Sequence, residues 1–258
     1  MIGCIIQARM GSSRLPGKVM KKIDDKYYVI DYVFKQLTYS KKIEKIVVAT
    51  TVLEEDNVIC DHLTSKKIEF FRGSSKDVLD RYYQCAKKFS MDIIVRITSD
   101  NPLVDPTIVD LIIENYKKQQ CDYVTTAIPR TFPYGTEVEV FSFKTLENAW
   151  ENAKKPSERE HVTSYIYNNL DIFKIYNVEY SKNMSNLRWT IDRINDLKLV
   201  KLIVSKINKR PILMSDILFL YSKEPSIFEL NKIQTPNEGY LKSLKEDNEY
   251  EIRKKNEQ

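Results

Sequence analysis

The chain has 258 residues, of which 42% are hydrophobic, so it is long enough to form one sizeable core. Its 41 Lys and Arg residues against 36 Asp and Glu residues give a net charge of +5 that is spread along the chain, whereas nucleic-acid-binding proteins show clustered basic stripes with aromatic platforms. No apolar run approaches the roughly 20 residues that cross a bilayer, and the short apolar segment at 1–6 leads directly into a loop instead of a signal peptide. We therefore expect a cytoplasmic protein that binds neither nucleic acids nor membranes.

The first half of the chain alternates short apolar runs with helical patterns. The runs IVVAT and IIVRI are rich in β-branched residues and nearly continuous, which is typical of strands buried on both faces. Strands are predicted at 2–8, 45–51, 69–72, 92–98 and 123–127, and helices at 28–37, 57–65, 78–89 and 106–118. This alternation predicts an α/β protein with a parallel sheet and helices on both of its faces.

After residue 130 the pattern changes. The stretch GTEVEVFS alternates polar and apolar residues, which predicts a strand with one exposed face, and Ser157 with Glu160 forms a capping box that predicts one helix to about residue 169. The remaining predictions are strands at 175–181 and 187–192 and helices at 142–154, 195–208 and 215–221. We divide the chain into a domain at 1–223 and a polar C-terminal tail at 224–258, which we expect to be a solvated helix or partly disordered.

Polar residues collect directly after the apolar runs. In open α/β sheets, ligands bind beyond the carboxyl ends of the strands. The segments at those ends are ARMGSSRLPGK, TTVLEED, RGSSKD, TSDNPL, TAIPRTF and DRINDL, and they contain arginines, small hydroxyl residues and carboxylates. Together they predict a polar site on one edge of the sheet.

The first of these segments belongs to the stretch IIQARMGSSRLPGKVM. It is not a P-loop, because five residues instead of four separate Gly11 from Gly17, and Val19 stands where a P-loop has Ser or Thr. Its glycines and serines can nevertheless point backbone N–H groups at an anion. Arg14 supplies a guanidinium that can make two parallel hydrogen bonds to phosphate oxygens, and Lys18 supplies a point charge. The pattern indicates a polyphosphate site, the alternative being an ordinary basic surface loop.

The same stretch resembles the N-terminal signature of the cytidylyltransferases that activate sugar acids, the CMP-Kdo and CMP-sialic acid synthetases. It is more similar still to their relatives in spore-coat and surface polysaccharide synthesis. The signature A-R-x-G-S-x-R-L-P-G-K is matched at Ala8, Arg9, Gly11, Ser12, Arg14, Leu15, Pro16, Gly17 and Lys18. The resemblance continues through FRGSSKDVLDRY, RITSDNPLVDP, FPYGTEVEVFS, EREHVTSYIY and LRWTIDRINDLKLV, and covers roughly residues 1–204.

The resemblance implies a Rossmann-like, three-layer nucleotide-diphospho-sugar transferase fold with a mostly parallel central sheet. It also implies a reaction in which an oxygen of a sugar, sugar acid or related acceptor attacks the α-phosphorus of CTP and pyrophosphate leaves. A homodimer is favoured as well. Two other functions stay open: a glycosyltransferase on a related fold, although Pro102 follows Asp100 where such enzymes repeat an aspartate, and a non-catalytic nucleotide-binding partner.

Asp100 and Asp192 are the predicted metal ligands, and with Arg14 and Lys18 they form the predicted catalytic group. Both aspartates resemble metal carboxylates of the family and both end apolar runs, so both can reach one site. With two histidines in the chain, a metal would be held by oxygen, which favours Mg²⁺ bound by one or two carboxylates and by substrate phosphates. The alternative for either aspartate is a helix N-cap.

The predicted nucleotide-binding residues are Ala8, Arg9, Gly11, Ser12, Arg14, Lys18, Arg72, Asp77 and Asp100. Two of them have a structural alternative: Arg9 can pair with a carboxylate such as Asp77, and Asp77 can be the N-cap of the helix that begins at Val78. The predicted acceptor-binding residues are Glu137, Glu139, Arg159 and His161.

The two acidic members of the acceptor set lie two apart on a strand, so Glu137 and Glu139 face the same side and can bind sugar hydroxyls or supply a general base. Their alternative is a solvated sheet face. His161 can contact an acceptor carboxylate or phosphate, or simply hydrogen-bond locally. Trp189 is expected to be a core residue.

Overall fold

The computed structural model describes residues 1–232 and 238–256. Its strands are β1 (Ile2–Gln7), β2 (Lys45–Thr51), β3 (Phe70–Gly73), β4 (Ile93–Thr98), β5 (Tyr123–Thr125), β6 (Glu139–Ser142) and β7 (Ile175–Asn177). Its α-helices are α1 (Val29–Leu37), α2 (Asn57–Ser65), α3 (Val78–Lys88), α4 (Pro106–Gln119), α5 (Phe143–Asn152), α6 (Pro156–Glu160), α7 (Ser164–Asn168), α8 (Ile194–Lys206), α9 (Met214–Lys223) and α10 (Glu238–Asn256).

These strands form one sheet in the order β3-β2-β1-β4-β6-β5-β7. β1 pairs in parallel with β2 and β4, and β2 pairs in parallel with β3, whereas β6 runs antiparallel to both β4 and β5. The predicted Rossmann-like arrangement with a mostly parallel sheet is confirmed. Because β2 and β3 continue the sheet on one side of β1, and β4 and β6 on the other, a crevice is expected at the carboxyl ends of β1 and β4.

Alternation along the central strand separates two hydrophobic clusters, one on each face of the sheet. Cys4 and Ile6 of β1 belong to the cluster with α1, α4 and α8, and Ile5 between them belongs to the cluster with α3 and α5. All three side chains are fully buried. The resulting helix–sheet–helix layers hold β1 rigidly, so the loop that follows it starts from a fixed point.

Three predicted elements were wrong. The strand predicted over GTEVEVFS with one exposed face is confined to β6, which is buried between β4 and β5. The helix predicted at 157–169 is broken into α6 and α7, because Val162 adopts φ 55°, a left-handed conformation in which a β-branched residue cannot continue a right-handed helix. The strand predicted at 187–192 is an extended segment with an isolated bridge between Tyr134 and Arg188, and it lies outside the sheet. Trp189 within it is fully buried, as predicted.

The C-terminal tail packs on the domain more closely than its polar composition predicts. After a 3₁₀ helix at Pro225–Asn231, α10 lies against α6. Asp247 of α10 is buried and accepts hydrogen bonds from the backbone N–H and the hydroxyl of Ser157, at 2.8 and 2.6 Å. The predicted tail residues 233–237 and 257–258 lie outside the described residues.

A bilayer-crossing helix, which would have to be both long and apolar, does not occur in residues 1–232 and 238–256.

Gly135 is the position where a methyl group should cost most. Its φ is +107°, and an added Cβ would lie 2.6 Å from Cδ1 of Trp189 and 2.9 Å from the backbone nitrogen of Thr190. We expect Gly135→Ala to lower the free energy of unfolding by about 2–4 kcal/mol in urea titrations. Gly239→Ala is the matched control, since nothing lies within 4 Å of its added Cβ, and it should change stability by no more than about 1 kcal/mol. Equal effects of the two substitutions would show that the backbone at Gly135 tolerates a side chain after all.

Candidate active site

The four predicted catalytic side chains meet at the carboxyl ends of β1 and β4. The Lys18 ammonium donates to Asp100 at 2.9 Å, to Asp192 at 3.0 Å and to the carbonyl oxygen of Ile191 at 2.8 Å. The guanidinium of Arg14 also bonds Asp192. Two carboxylates that are 92 positions apart in the chain therefore both bind the ammonium group of Lys18. The side chain of Lys18 is 11% exposed.

The loop that presents Lys18 is curled around one carbonyl group. The carbonyl oxygen of Met10 accepts from the N–H groups of Ser12 and Gly17, at 2.8 and 2.9 Å. Gly17 takes φ 65°, which glycine adopts without strain, and a short 3₁₀ turn beginning at Lys18 follows. The start of the loop is held by buried Asp56, which accepts from the Met10 N–H at 2.7 Å. The glycine therefore makes the turn that aims Lys18 at the two aspartates.

The charges in this cluster stabilise one another. Burial alone would lower the pKa of Lys18, but Asp100 and Asp192 raise it above its ordinary value, so the ammonium stays charged. Burial alone would raise the pKa of Asp100, but Lys18 and the hydroxyl of Thr98 hold it below its ordinary value. Asp192 contacts a further cation, Arg188, which was not predicted.

The donor set is compatible with magnesium only if the substrate completes it. Within residues 1–232 and 238–256 there is no group of three or more His, Cys, Asp or Glu side chains that could hold a metal ion. Two convergent carboxylates are nevertheless what Mg²⁺ uses when phosphate and water oxygens fill its other positions. Asp100 and Asp192 therefore fit a magnesium–polyphosphate complex better than an isolated metal ion.

A cavity of about 820 Å³ opens beside this cluster. Of the predicted residues, it is lined by Ala8, Arg9, Gly11, Ser12, Arg14, Lys18, Asp100 and His161. The start of α3, the end of α6 and the first half of α10 form the rest of its wall. The structure thus brings most of the predicted nucleotide-binding residues to one polar cavity.

Other predicted binding residues lie outside the cavity lining, in contacts that hold loops. Arg72 donates to the carbonyl oxygens of Thr51 and Leu53, both at 3.0 Å. Asp77 caps α3 through the N–H of Asp80 and forms an ion pair with Arg159, at 2.6 Å. The N-cap alternative for Asp77 is therefore what the structure has, and roles of Arg72, Asp77 and Arg159 in binding stay predictions.

Arg9 does not pair with Asp77. Its guanidinium donates to Glu160 at 2.9 Å across the cavity wall. This ion pair is partly exposed, so it can exchange for a ligand at modest cost.

Of the two acidic residues of the predicted acceptor set, Glu139 is buried and Glu137 is partly exposed, and both accept several hydrogen bonds from the chain. Glu139 contacts Arg96 and accepts from the hydroxyls of Tyr123 and Thr163. Glu137 pairs with Arg130 and also accepts from the side-chain amide of Asn101 at 3.2 Å and the N–H of Gly135 at 2.8 Å. Contact of either glutamate with an acceptor stays a prediction.

The first turns of α10 add site residues that were missed. Glu238 accepts from Arg14 at 3.1 Å and from Arg193 at 3.0 Å, and Ser243 hydrogen-bonds His161 at 2.9 Å. No motif marks the polar tail, so the sequence contained no signal for these contacts.

His161 is neutral in this structure at physiological pH. Burial lowers the pKa of its imidazole to about 4, and nearby Arg96 also lowers it, while Glu139 and Asp247 oppose the shift. A neutral imidazole bonded to Ser243 can offer one hydrogen bond to a ligand but no charge.

Comparison with known proteins finds a family model, related sequences and related structures that each match most of this chain. The family model described as Cytidylyltransferase matches residues 3–231. An uncharacterized protein of Methanocaldococcus jannaschii is 41% identical over 229 residues, which are 88% of this chain and 93% of that protein. The spore coat polysaccharide biosynthesis protein SpsF of Bacillus subtilis is 31% identical over 228 residues, which are 86% of this chain and 94% of SpsF. The structure of a cytidylyltransferase from Leptospira borgpetersenii has a TM-score of 0.85 and 34% identity, covering 91% of this chain and 98% of that one.

The depressed pKa of His161 predicts a specific loss of stability in acid. Above pH 6.5 the imidazole is neutral in both the folded and unfolded states and contributes nothing to pH dependence. Between pH 6.5 and about 4 the unfolded chain binds a proton that the folded chain excludes, so this group should lower stability by up to about 3 kcal/mol as the pH falls. His161→Gln should remove this part of the loss in urea titrations at pH 7.0 and 4.5. An imidazole of His161 that titrates near pH 6.5 by NMR would contradict the expectation.

Proposed function

Since the chain belongs to the cytidylyltransferase family, we propose that it transfers CMP from CTP to a sugar, sugar acid or related anionic acceptor, with release of pyrophosphate, in surface polysaccharide synthesis. The observation that carries the proposal is the ammonium of Lys18 bonded to both Asp100 and Asp192 at the edge of the cavity. Such a cluster can organise the charges of a phosphoryl group and of its leaving group.

In this proposal the β1 loop binds the triphosphate. Arg14 and Lys18 offset the negative charge that grows on pyrophosphate as its bond to the α-phosphorus breaks. Glu238 accepts a hydrogen bond from Arg14 in the absence of substrate, and a phosphate oxygen would replace this carboxylate when CTP binds. The exchange is between two anions at one guanidinium, so Arg14 keeps its orientation.

We also propose that Mg²⁺ is the cofactor and that Asp100 and Asp192 hold it together with the phosphates. The ion would supply positive charge to the oxygens of the reacting phosphoryl group. Lys18 keeps the two carboxylates together before substrate arrives, which limits the repulsion between them. The acceptor would approach from the side of Glu137, Glu139, Arg159 and His161, and its oxygen would attack the α-phosphorus in line with the departing pyrophosphate.

A homodimer and a cytoplasmic location remain part of the proposal. They rest on the resemblance to sugar-activating synthetases and on the composition of the chain.

The choice of nucleotide can be tested before any acceptor is known. Each of the four nucleoside triphosphates is added with Mg²⁺ in a thermal-shift titration. A ligand at about 100 times its Kd stabilises the folded state by about 2.7 kcal/mol, which corresponds to about 5–10 °C for a chain of this size. We expect this shift with CTP at the lowest concentration. The absence of a shift with CTP, or a stronger response to another triphosphate, would contradict the proposed donor.

The role of Asp100 is tested by pyrophosphate release from CTP over a panel of sugar acids and sugars. Asp100→Asn removes one negative charge from the cluster around Lys18, and we expect the rate to fall by about 100-fold or more. Asp171→Asn is the control, because Asp171 is exposed and lies outside the cavity lining. A wild-type rate in Asp100→Asn would exclude the proposed role of this carboxylate.

A further inference from the structure

Arg81 of α3 is a buried cation that forms no direct ion pair within the described residues. Its side chain is 1% exposed, and within the described residues no carboxylate lies within ion-pair distance of it. Arg96 and Arg188, which are 14% and 15% exposed, also have an Nε without a hydrogen bond, but their terminal nitrogens contact Glu139 and Asp192. Burial lowers the pKa of Arg81 and Arg9 lowers it further, while Tyr82, Glu160 and Asp56 oppose the shift only in part, so the charge is incompletely compensated.

The guanidinium of Arg81 is fixed in place with one edge unused. Its Nη1 donates to the carbonyl oxygen of Ser74 at 2.6 Å. Its stem packs on Gly73, where an added Cβ would lie 2.9 Å from Cγ of Arg81. Nε is buried without a partner, and Nη2 has no hydrogen-bond acceptor in residues 1–232 and 238–256. The edge formed by Nε and Nη2 is the one that makes paired hydrogen bonds to two adjacent acceptors.

Arg81 lines the same cavity as the β1 loop, together with Val78 and buried Ala8. It belongs to the helix that follows β3, on the side of the sheet where β2 and β3 extend from β1. In open α/β sheets, ligands bind in the crevice beyond the carboxyl ends of the strands, so a nucleotide whose phosphates lie on the loop after β1 can place its base beside α3 in the same cavity. The apolar neighbours Val78 and Ala8 suit a base ring better than a hydrated anion, and Arg14 and Lys18 already serve the phosphates.

We propose that Arg81 selects the base of the nucleotide, donating from Nε and Nη2 to O2 and N3 of cytosine. This inference rests on the proposed use of CTP and adds the residue that reads the base. Cytosine presents two adjacent acceptors at O2 and N3, as guanine does at O6 and N7 towards arginine in DNA recognition. Uracil carries a hydrogen on N3, so a donor would face a donor and the fork would lose half of its pairing.

The test measures binding of CTP and of UTP to the full-length protein by calorimetry with Mg²⁺. Arg81→Met keeps an unbranched apolar stem and removes the guanidinium. We expect CTP affinity to fall by about 10- to 100-fold while UTP affinity changes little, because the lost pair of bonds involves a charged donor. Arg81→Lys keeps the charge without the fork, so it should not restore the preference for CTP. Arg210→Met is the control, since Arg210 bonds Tyr32 and backbone carbonyl groups away from the cavity.

The outcomes separate this inference from the proposed function. If the wild-type protein prefers CTP and Arg81→Met or Arg81→Lys keeps the wild-type ratio of CTP to UTP affinity, the role of Arg81 is overturned while CTP stays the donor. If the wild-type protein does not prefer CTP, the proposed donor fails and the base assignment fails with it. Should Arg81→Met fail to fold by circular dichroism, Arg81→Lys decides, because it retains the buried charge.

Discussion

The contact of Lys18 with two carboxylates is the constraint on which the site depends. Asp100 follows β4 and Asp192 ends an extended segment outside the sheet. The N–H of Ile191 donates to the carbonyl oxygen of Asp100 at 2.8 Å and so brings the two segments together, while Lys18 joins the two carboxylates. Without the ammonium, the adjacent carboxylates of buried Asp192 and partly exposed Asp100 would repel each other, which favours uptake of a proton by one of them. The pKa shifts of Lys18 and Asp100 in opposite directions express this mutual stabilisation. Gly17, which permits the turn before Lys18, is therefore part of the site although it has no side chain.

The order of the strands explains why the contact forms where it does. β1 and β4 are neighbours although β2 and β3 separate them in the chain. The cavity lies at the carboxyl ends of these two strands, with one wall supplied by α3 and another by α10. α10 also places Glu238 on Arg14, so a carboxylate of the chain accepts a hydrogen bond from the guanidinium to which a phosphate is proposed to bind. The cations of the β1 loop are therefore paired with carboxylates of the chain itself.

Sequence reasoning was most accurate where local pattern and tertiary structure agree. The continuous β-branched run at 45–51 forms β2 with the predicted bounds, and the rule that ligands bind beyond strand ends predicted the meeting of Lys18 with Asp100 and Asp192. It failed where distant contacts override local preference. Val162 breaks a helix that its capping box predicted, and α10 owes its position to the bonds of Asp247 with Ser157, which no periodicity contains. The lack of a direct ion pair at Arg81, within the described residues, is likewise visible only in the packed structure.

Arg96 and Arg81 differ in how their positive charges are compensated. Arg96 has Glu139 as its partner and its pKa is raised, so it serves the stability of the sheet. Arg81 has no such ion-pair partner and its pKa is lowered, so its burial carries a cost that the carbonyl oxygen of Ser74 and more distant carboxylates offset only in part. The cluster of Lys18, Asp100 and Asp192 contains no group that distinguishes one base from another. In the proposed scheme the base is therefore chosen at one end of the cavity and phosphoryl transfer occurs at the other, so base preference can change without alteration of the groups that perform the transfer.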